Sequence, residues 1–310
     1  MALIRGEFQR RSIRGYFDCS CYGLWVEVAD KNVSQFNTMA SLSEALSSFS
    51  AVIVTGGSSG IGKSFINLIY NVNPELRFCN LSRSKPEMNL SKLKLYHIST
   101  DLSRPEQLAG VVGAIGKWLD AEPMAGKILL INNSGFGGYG IFPEPNIEHS
   151  LEMIDLNVRA VVELTGRLLP KIQACGGAII NVASTAAFQP TAWMSVYGAS
   201  KAFLLHWSLA LNQELSGTGV NVLALCPGPT ATGFFRRAGL QKGSVADSLS
   251  MSSDEVVLTS LRAMVAGKSL VVTGWKNRVG VALVTKLPKS WAAWIAAKIL
   301  EKIRFKRVAR

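Results

Sequence analysis

Short apolar runs recur along the chain: AVIVT, RFCNL, KLYHI, KILLIN, GAIINVA, GVNVLALC and SLVVTG. They are rich in β-branched residues and end at Gly or polar positions, as strands do. Between them lie longer stretches in which apolar residues return every three or four positions: PEQLAGVVGAIGKWL, HSLEMIDLNVRAVVELTGRLLP, SVYGASKAFLLHWSLALNQEL and DEVVLTSLRAMVAG. That period is helical. The strands and helices alternate strictly, which predicts an α/β protein with a parallel sheet of seven strands covered by helices on both faces. In such a doubly wound sheet, ligands sit at the carboxyl ends of the strands.

The first of those ends is VTGGSSGIGKS, residues Val54 to Ser64. A buried strand, a tight glycine turn and a helix together aim backbone N–H groups and the positive end of the helix at an anion, which points to a nucleotide phosphate. The spacing is G-x-x-x-G-x-G, neither the G-x-G-x-x-G fingerprint nor the Walker pattern. About twenty residues on, where an acid would hold the ribose 2′-hydroxyl of NAD, RFCNLSRS offers Asn80, Ser82 and Arg83 and no acid. Arg83 suits a 2′-phosphate, so NADP is preferred over NAD. At the next strand exit, Asp101 of Thr100-Asp101-Leu102 either meets an adenine amine or caps the following helix. Asn132-Asn133-Ser134-Gly135 is a turn signal at the fourth exit.

Candidate chemistry centres on Tyr197 and Lys201, four apart in a helical stretch and therefore on one face, about 6 Å apart along the axis. Ser184 closes the preceding strand and belongs above the same sheet edge. A free tyrosine, with a pKa of about 10, exchanges protons poorly at neutral pH, and a nearby ammonium is expected to lower that value. Ser184 would hold a substrate oxygen while Tyr197 exchanges a proton with it.

Taken together, TGGSSGIG, NNSG, Ser184, YGASK and PGPTAT resemble the short-chain dehydrogenase/reductase family over roughly Phe49 to Gly274, and its NADP-preferring acyl and ketone reductases in particular. The resemblance implies a Rossmann-type single domain, a nicotinamide cofactor and a catalytic set of Ser184, Tyr197 and Lys201. It adds Asn157 as a fourth member, whose helix distortion and bound water link Lys201 to solvent. It places Gly56, Gly60 and Gly62, with Ser58, Ser59 and Ile61 between them, at the pyrophosphate. Asp101 and Leu102 go to the adenine, Asn132 to the ribose, and Pro227, Gly228 and Thr232 to the nicotinamide amide. Tyr197 and Lys201 also meet the cofactor. Ser134 departs from the usual alanine, and Ala183 stands where a second serine is frequent.

Composition changes this picture only at the margins. The five cysteines form no C-x-x-C and are odd in number, which suggests reduced thiols and a cytoplasmic setting. The three scattered histidines give no support to a metal site. The uncharged stretches from Cys175 to Ser200 and from Leu215 to Phe235 are broken by Gly, Pro, Asn and Gln, and read as buried strands with loops. More than half of the net charge of +12 lies between Lys286 and Arg310, so the main domain is only mildly basic and no nucleic-acid partner is expected. This division gives an N-terminal extension at 1–48, expected to be poorly structured, a domain at 49–284 and a basic helical tail at 285–310. A transit peptide or a start at Met39 are the other readings of the extension. Within the domain, 229–253 is the candidate lid. Phe136, Phe188, Trp193, Met194, Phe234 and Phe235 suggest an apolar carbonyl or alcohol substrate. The expected protein is an NADP-dependent oxidoreductase and a homo-oligomer, whose tail either touches a membrane surface or packs on protein. The alternative is a dinucleotide-binding sensor or scaffold without turnover.

Overall fold

All seven expected strands form: β1 Phe49–Thr55, β2 Arg77–Ser82, β3 Lys94–Ser99, β4 Lys127–Asn132, β5 Gly177–Val182, β6 Val220–Cys226 and β7 Leu270–Val272. They make one sheet in the order β3-β2-β1-β4-β5-β6-β7, and every neighbouring pair is parallel. The computed structural model describes residues 35–305 except 124, 144, 233 and 235–249. Part of the candidate lid, including Phe235, lies outside the described residues.

Successive strand residues point to opposite faces, and both faces are covered, so the central strands need continuous apolar runs rather than alternation. On one face Val52, Val54, Leu129 and Ile131 pack against α1 (Gln35–Ser47), α2 (Gly60–Val72) and α7 (Ser253–Val265). On the other, Ala51, Ile53, Ile128 and Leu130 meet α3 (Pro105–Asp120), α5 (Ala160–Cys175) and α6 (Ser195–Glu214). Each fully buried Val, Leu or Ile contributes roughly 1.5–3 kcal/mol before conformational entropy is set against it. The edge strand β3 alternates between exposed and half-buried positions from Lys94 to His97, unlike the fully buried strands β2 and β5.

Helix α1 corrects the expectation for residues 1–48. Over Gln35–Ser47 the chain is helical, and Leu42 and Leu46 are buried in the same core as β1 and α2. The spacing of four that puts both leucines on one face was present in the sequence. Residues 1–34 lie outside the described residues.

The basic tail is also helical. After α8 (Trp275–Val284) a short link leads to α9 (Lys289–Phe305). Among the described residues no helix is long and apolar enough to cross a membrane. The strand order reverses direction between β1 and β4, and the crevice above that switch point is where the sheet offers a binding site.

Candidate active site

At the end of β1 the chain turns through Gly56 and Gly60, both with positive φ, and enters α2. A side chain at Gly62 would run into the Gly56 carbonyl and the Asn133 amide. At Gly56 it would meet Ser134 and Asn133. Ser59, the residue before α2, makes no side-chain hydrogen bond to the first turn, which leaves the helix N-terminus to the cleft. This is a cradle of backbone with the geometry to hold an anion, and it fits the pyrophosphate of a dinucleotide. Gly56, Ser58, Ser59, Gly60 and Ile61 all line a cleft of about 740 Å³; Gly62 sits beneath it as packing.

Two side chains lock the turn from below. The Gly57 N–H donates to Asn80 Oδ1 at 2.8 Å, and the Asn80 amide donates to Ser82 Oγ at 2.7 Å and faces His97 Nδ1 at 3.0 Å. Asn80 is thus a buried strut of the turn, while Ser82 and Arg83 reach the cleft. Arg83 is largely exposed and lies 4.0 Å from the Asp101 carboxylate. Asp101 lines the cleft and also accepts hydrogen bonds from the Ser103 backbone and hydroxyl, so both of its expected roles are compatible. Burial pushes its carboxyl up, but the Ser103 bonds and the charges of Arg83 and Arg104 outweigh this and hold it below the ordinary range.

The neighbouring asparagines divide the work differently from the expectation. Asn132 is buried, and its amide donates to Thr165 Oγ1 at 3.0 Å and Asn181 Oδ1 at 2.8 Å, so its side chain points into the interior instead of toward a ribose. Asn133 faces the cleft and donates to the carbonyls of Thr55 at 2.9 Å and Gly56 at 3.3 Å. Strand alternation requires this opposition of adjacent residues.

Between α4 (Ile147–Ile154) and α5 the helix widens into a π-turn, Asp155–Arg159, with the Ala160 N–H bonding to the Asp155 carbonyl. Such turns push one side chain out of the regular helical path. Here it is Asn157, whose Oδ1 accepts from the Phe136 N–H at 3.2 Å and whose amide donates to the Phe136 carbonyl at 3.0 Å and to Ser200 Oγ at 3.1 Å. The loop after β4 is thereby fastened to α6. Gly135 lets Asn157 and Lys201 approach it closely.

On α6 the buried face carries Tyr197 and Lys201. Lys201 Nζ donates to the Val182 carbonyl at 2.8 Å and lies 5.9 Å from the centroid of the Tyr197 ring. Ser184, two residues beyond β5, accepts at its Oγ from the Ala186 N–H at 3.1 Å and stands near enough to the Tyr197 hydroxyl to pull its pKa down. Ser184, Tyr197 and Lys201 all line the cleft.

The electrostatics revise one expectation. Burial pushes the Tyr197 hydroxyl up to about 12, against the opposing pull of Ser184, and burial brings Lys201 down to about 8. Desolvation penalises the charged form of both groups and is the largest influence on each. Tyr197 is therefore held protonated, as an acid needs to be, and the net shift of its pKa is upward, where the sequence suggested a lowering. The Cys226 thiol beside them is also pushed up to about 12 by burial.

The short chain dehydrogenase model matches residues 50–243, more than half of the chain. The chain belongs to the short chain dehydrogenase family. The family consists of oxidoreductases that use a nicotinamide dinucleotide. Among individual relatives, a ketoacyl reductase, HetN, from Nostoc is 33% identical over 184 residues, a match covering 57% of this chain and 62% of that one. The hydroxysteroid dehydrogenase-like protein 1 of Gallus gallus is 26% identical over 260 residues, covering 81% and 76%. The solved short-chain dehydrogenase from Sphingobium yanoikuyae in complex with NADPH is 27% identical, with a TM-score of 0.64 over 84% of this chain and 96% of that one.

Within this short chain dehydrogenase, Leu102, Pro227, Gly228 and Thr232 line the cleft. Of the aromatic and apolar candidates, Phe136, Met194 and Phe234 line it too, and the Phe234 ring lies 5.2 Å from that of Tyr197. Phe188 is buried as packing. Trp193 instead donates from Nε1 to the Ala297 carbonyl at 3.3 Å. Sequence reasoning missed His149, Glu152 and Leu156, a spacing of three and four that marks one helical face directed at the cleft. It also missed Ala296, Ile299 and Leu300, by which α9 walls the cleft. The Tyr139 hydroxyl donates to the Leu300 carbonyl at 2.5 Å and fastens this wall.

Proposed function

We propose that the protein is an NADP(H)-dependent carbonyl reductase or alcohol dehydrogenase, acting on an apolar ketone, acyl or secondary alcohol substrate. The observation that carries this is the convergence of Ser184, a protonated Tyr197 and Lys201 at the floor of one cleft, beside a backbone cradle for a dinucleotide. Held by the turn from Gly56 to Ile61, a reduced nicotinamide dinucleotide would supply the hydride for the carbonyl carbon. Ser184 holds the carbonyl oxygen, and Tyr197 gives its hydroxyl proton to that oxygen as it becomes an alcohol. Lys201 donates to the Val182 carbonyl and stands beside the tyrosine ring, where its charge offsets that of the phenolate left behind.

The preference for NADP rests on Arg83 at the cleft rim, on the absence of an acid from the exit of β2, and on the NADPH-bound relative. Phe136, Met194, Phe234 and Leu300 support an apolar substrate, as do relatives named for ketoacyl and hydroxysteroid chemistry. The sensor alternative is not favoured, because a protein that only binds dinucleotide has no use for the full catalytic set. A homo-oligomer is supported by the exposed apolar residues Ile147, Leu151 and Ile154 on α4, Val162 on α5 and Phe203 on α6.

The test is a screen of ketones, acyl thioesters and secondary alcohols with NADPH and NADH, followed by nicotinamide absorbance. Turnover with NADPH, and weaker binding of NADH, is the expected result. Arg83→Ala should narrow that gap to a few-fold by removing a charge-assisted contact, about 1–2 kcal/mol for a side chain so exposed. Equal affinity for both cofactors in the unaltered protein contradicts the NADP reading.

A further inference from the structure

Residues 275–305 carry seven Lys or Arg and a single acid, Glu301. Large apolar side chains stand exposed among these charges. On α8, Trp275, Val279 and Leu283 recur at intervals of four and share one helical face, with exposures of 70%, 48% and 64%. The Lys276 ammonium lies 5.8 Å from the Trp275 ring centroid. On α9, Trp291 and Trp294 are each 65% exposed. The opposite face of α9 is occupied: Ala292 is buried, and Ala296 and Leu300 line the cleft. Ile299 belongs to both faces, since it lines the cleft and is 55% exposed.

We propose that α9, extended by α8, is a docking face for the surface of an anionic phospholipid bilayer, with the substrate end of the cleft at that surface. Indole rings settle at the boundary between headgroups and acyl chains, and lysines and arginines beside them meet the lipid phosphates. The excess of positive charge matches an anionic surface and would repel a second copy of the same face. Neither helix is long and apolar enough to span the bilayer, so they would lie in its plane. Because α9 is at once the exposed face and the cleft wall, a lipophilic substrate partitioned into the bilayer would reach the cleft past Ile299. This last step rests on the apolar carbonyl site described above; the docking itself does not.

The experiment is co-sedimentation of the full-length protein with vesicles of phosphatidylcholine alone and of equimolar phosphatidylcholine and phosphatidylglycerol, at low and high salt. Pelleting is expected with the anionic vesicles only, weakening as salt rises. Trp291→Ser combined with Trp294→Ser should weaken it by about tenfold or more, with circular dichroism and turnover of a short water-soluble ketone unchanged. No pelleting with anionic vesicles overturns the proposal, as does pelleting that the double variant leaves intact. A double variant that loses a dimer seen in the unaltered protein assigns the face to a second copy, which also overturns it. Absence of turnover in the unaltered protein would count against the catalytic reading and leave the vesicle result standing.

Discussion

At the cofactor end the cleft wall is backbone and short polar side chains tied by hydrogen bonds, whereas at the substrate end it is large apolar side chains brought together from distant parts of the chain. Gly56, Asn80 and Asn133 hold the first end by directional bonds of 2.7–3.3 Å. Phe136, Met194, Phe234 and Leu300 form the second, with the Tyr139 hydroxyl on the Leu300 carbonyl fastening the helix that carries one of them. The first end has little tolerance, because a hydrogen-bonded turn has one geometry. The second sets shape rather than chemistry, and its residues can change one at a time. The catalytic set lies between the two and should be sensitive to the first and nearly indifferent to the second.

The sharpest way to break this contrast is at Gly62. Gly62→Ala drives a methyl group toward the Gly56 carbonyl and the Asn133 amide. The turn must shift, which should cost roughly 1–3 kcal/mol of stability and weaken dinucleotide binding. Denaturant unfolding and cofactor titration check this together, and unchanged cofactor affinity would mean that the turn is not the cradle. At the other end, Leu300→Ala should raise the KM for a bulky apolar ketone by roughly tenfold while leaving cofactor affinity alone. An equal loss on both would erase the distinction between the ends.

Lys201 offers a smaller effect with a definite sign. Burial lowers its folded-state pKa to about 8, whereas the unfolded chain keeps an ordinary lysine at about 10.4. Between those values the unfolded state binds the additional proton, so this group's contribution to unfolding free energy rises with pH by at most about 1.4 kcal/mol per unit. Urea titrations should therefore show the unaltered protein gaining stability relative to Lys201→Met across that window. The thiols of Cys79 and Cys226, both pushed up by burial, act in the opposite direction but are common to both proteins. A difference that stays flat with pH would show that Lys201 is not held in its buried state.

The sheet was legible because each central strand is buried on both faces and must be a continuous apolar run. The glycine turn and the Tyr197–Lys201 pair were legible because they depend on spacing within a few residues. What escaped depends on which way a residue faces once folded. Asn132 and Asn133 are adjacent, and the sequence assigned the ribose to the one that alternation turns inward, opposite its register partner Asn181. Helix α9 was legible only as a basic helical tail, because lysines, arginines and tryptophans dominate that stretch. Its ordering stripe is Ala292, Ala296 and Leu300 at intervals of four, two small residues that let the helix approach the cleft and one large apolar residue that lines it. Helix α1 was hidden in the same way, since Leu42 and Leu46 were read with the extension before them.

Tyr197 as proton donor in a carbonyl reduction stands or falls on the turnover of Tyr197→Phe with NADPH and a good ketone substrate. The substitution keeps the ring against Phe234 and removes only the hydroxyl that meets Ser184. A fall in kcat of roughly 10²–10⁴, with cofactor affinity nearly unchanged, is the predicted result; near-normal turnover would contradict the mechanism.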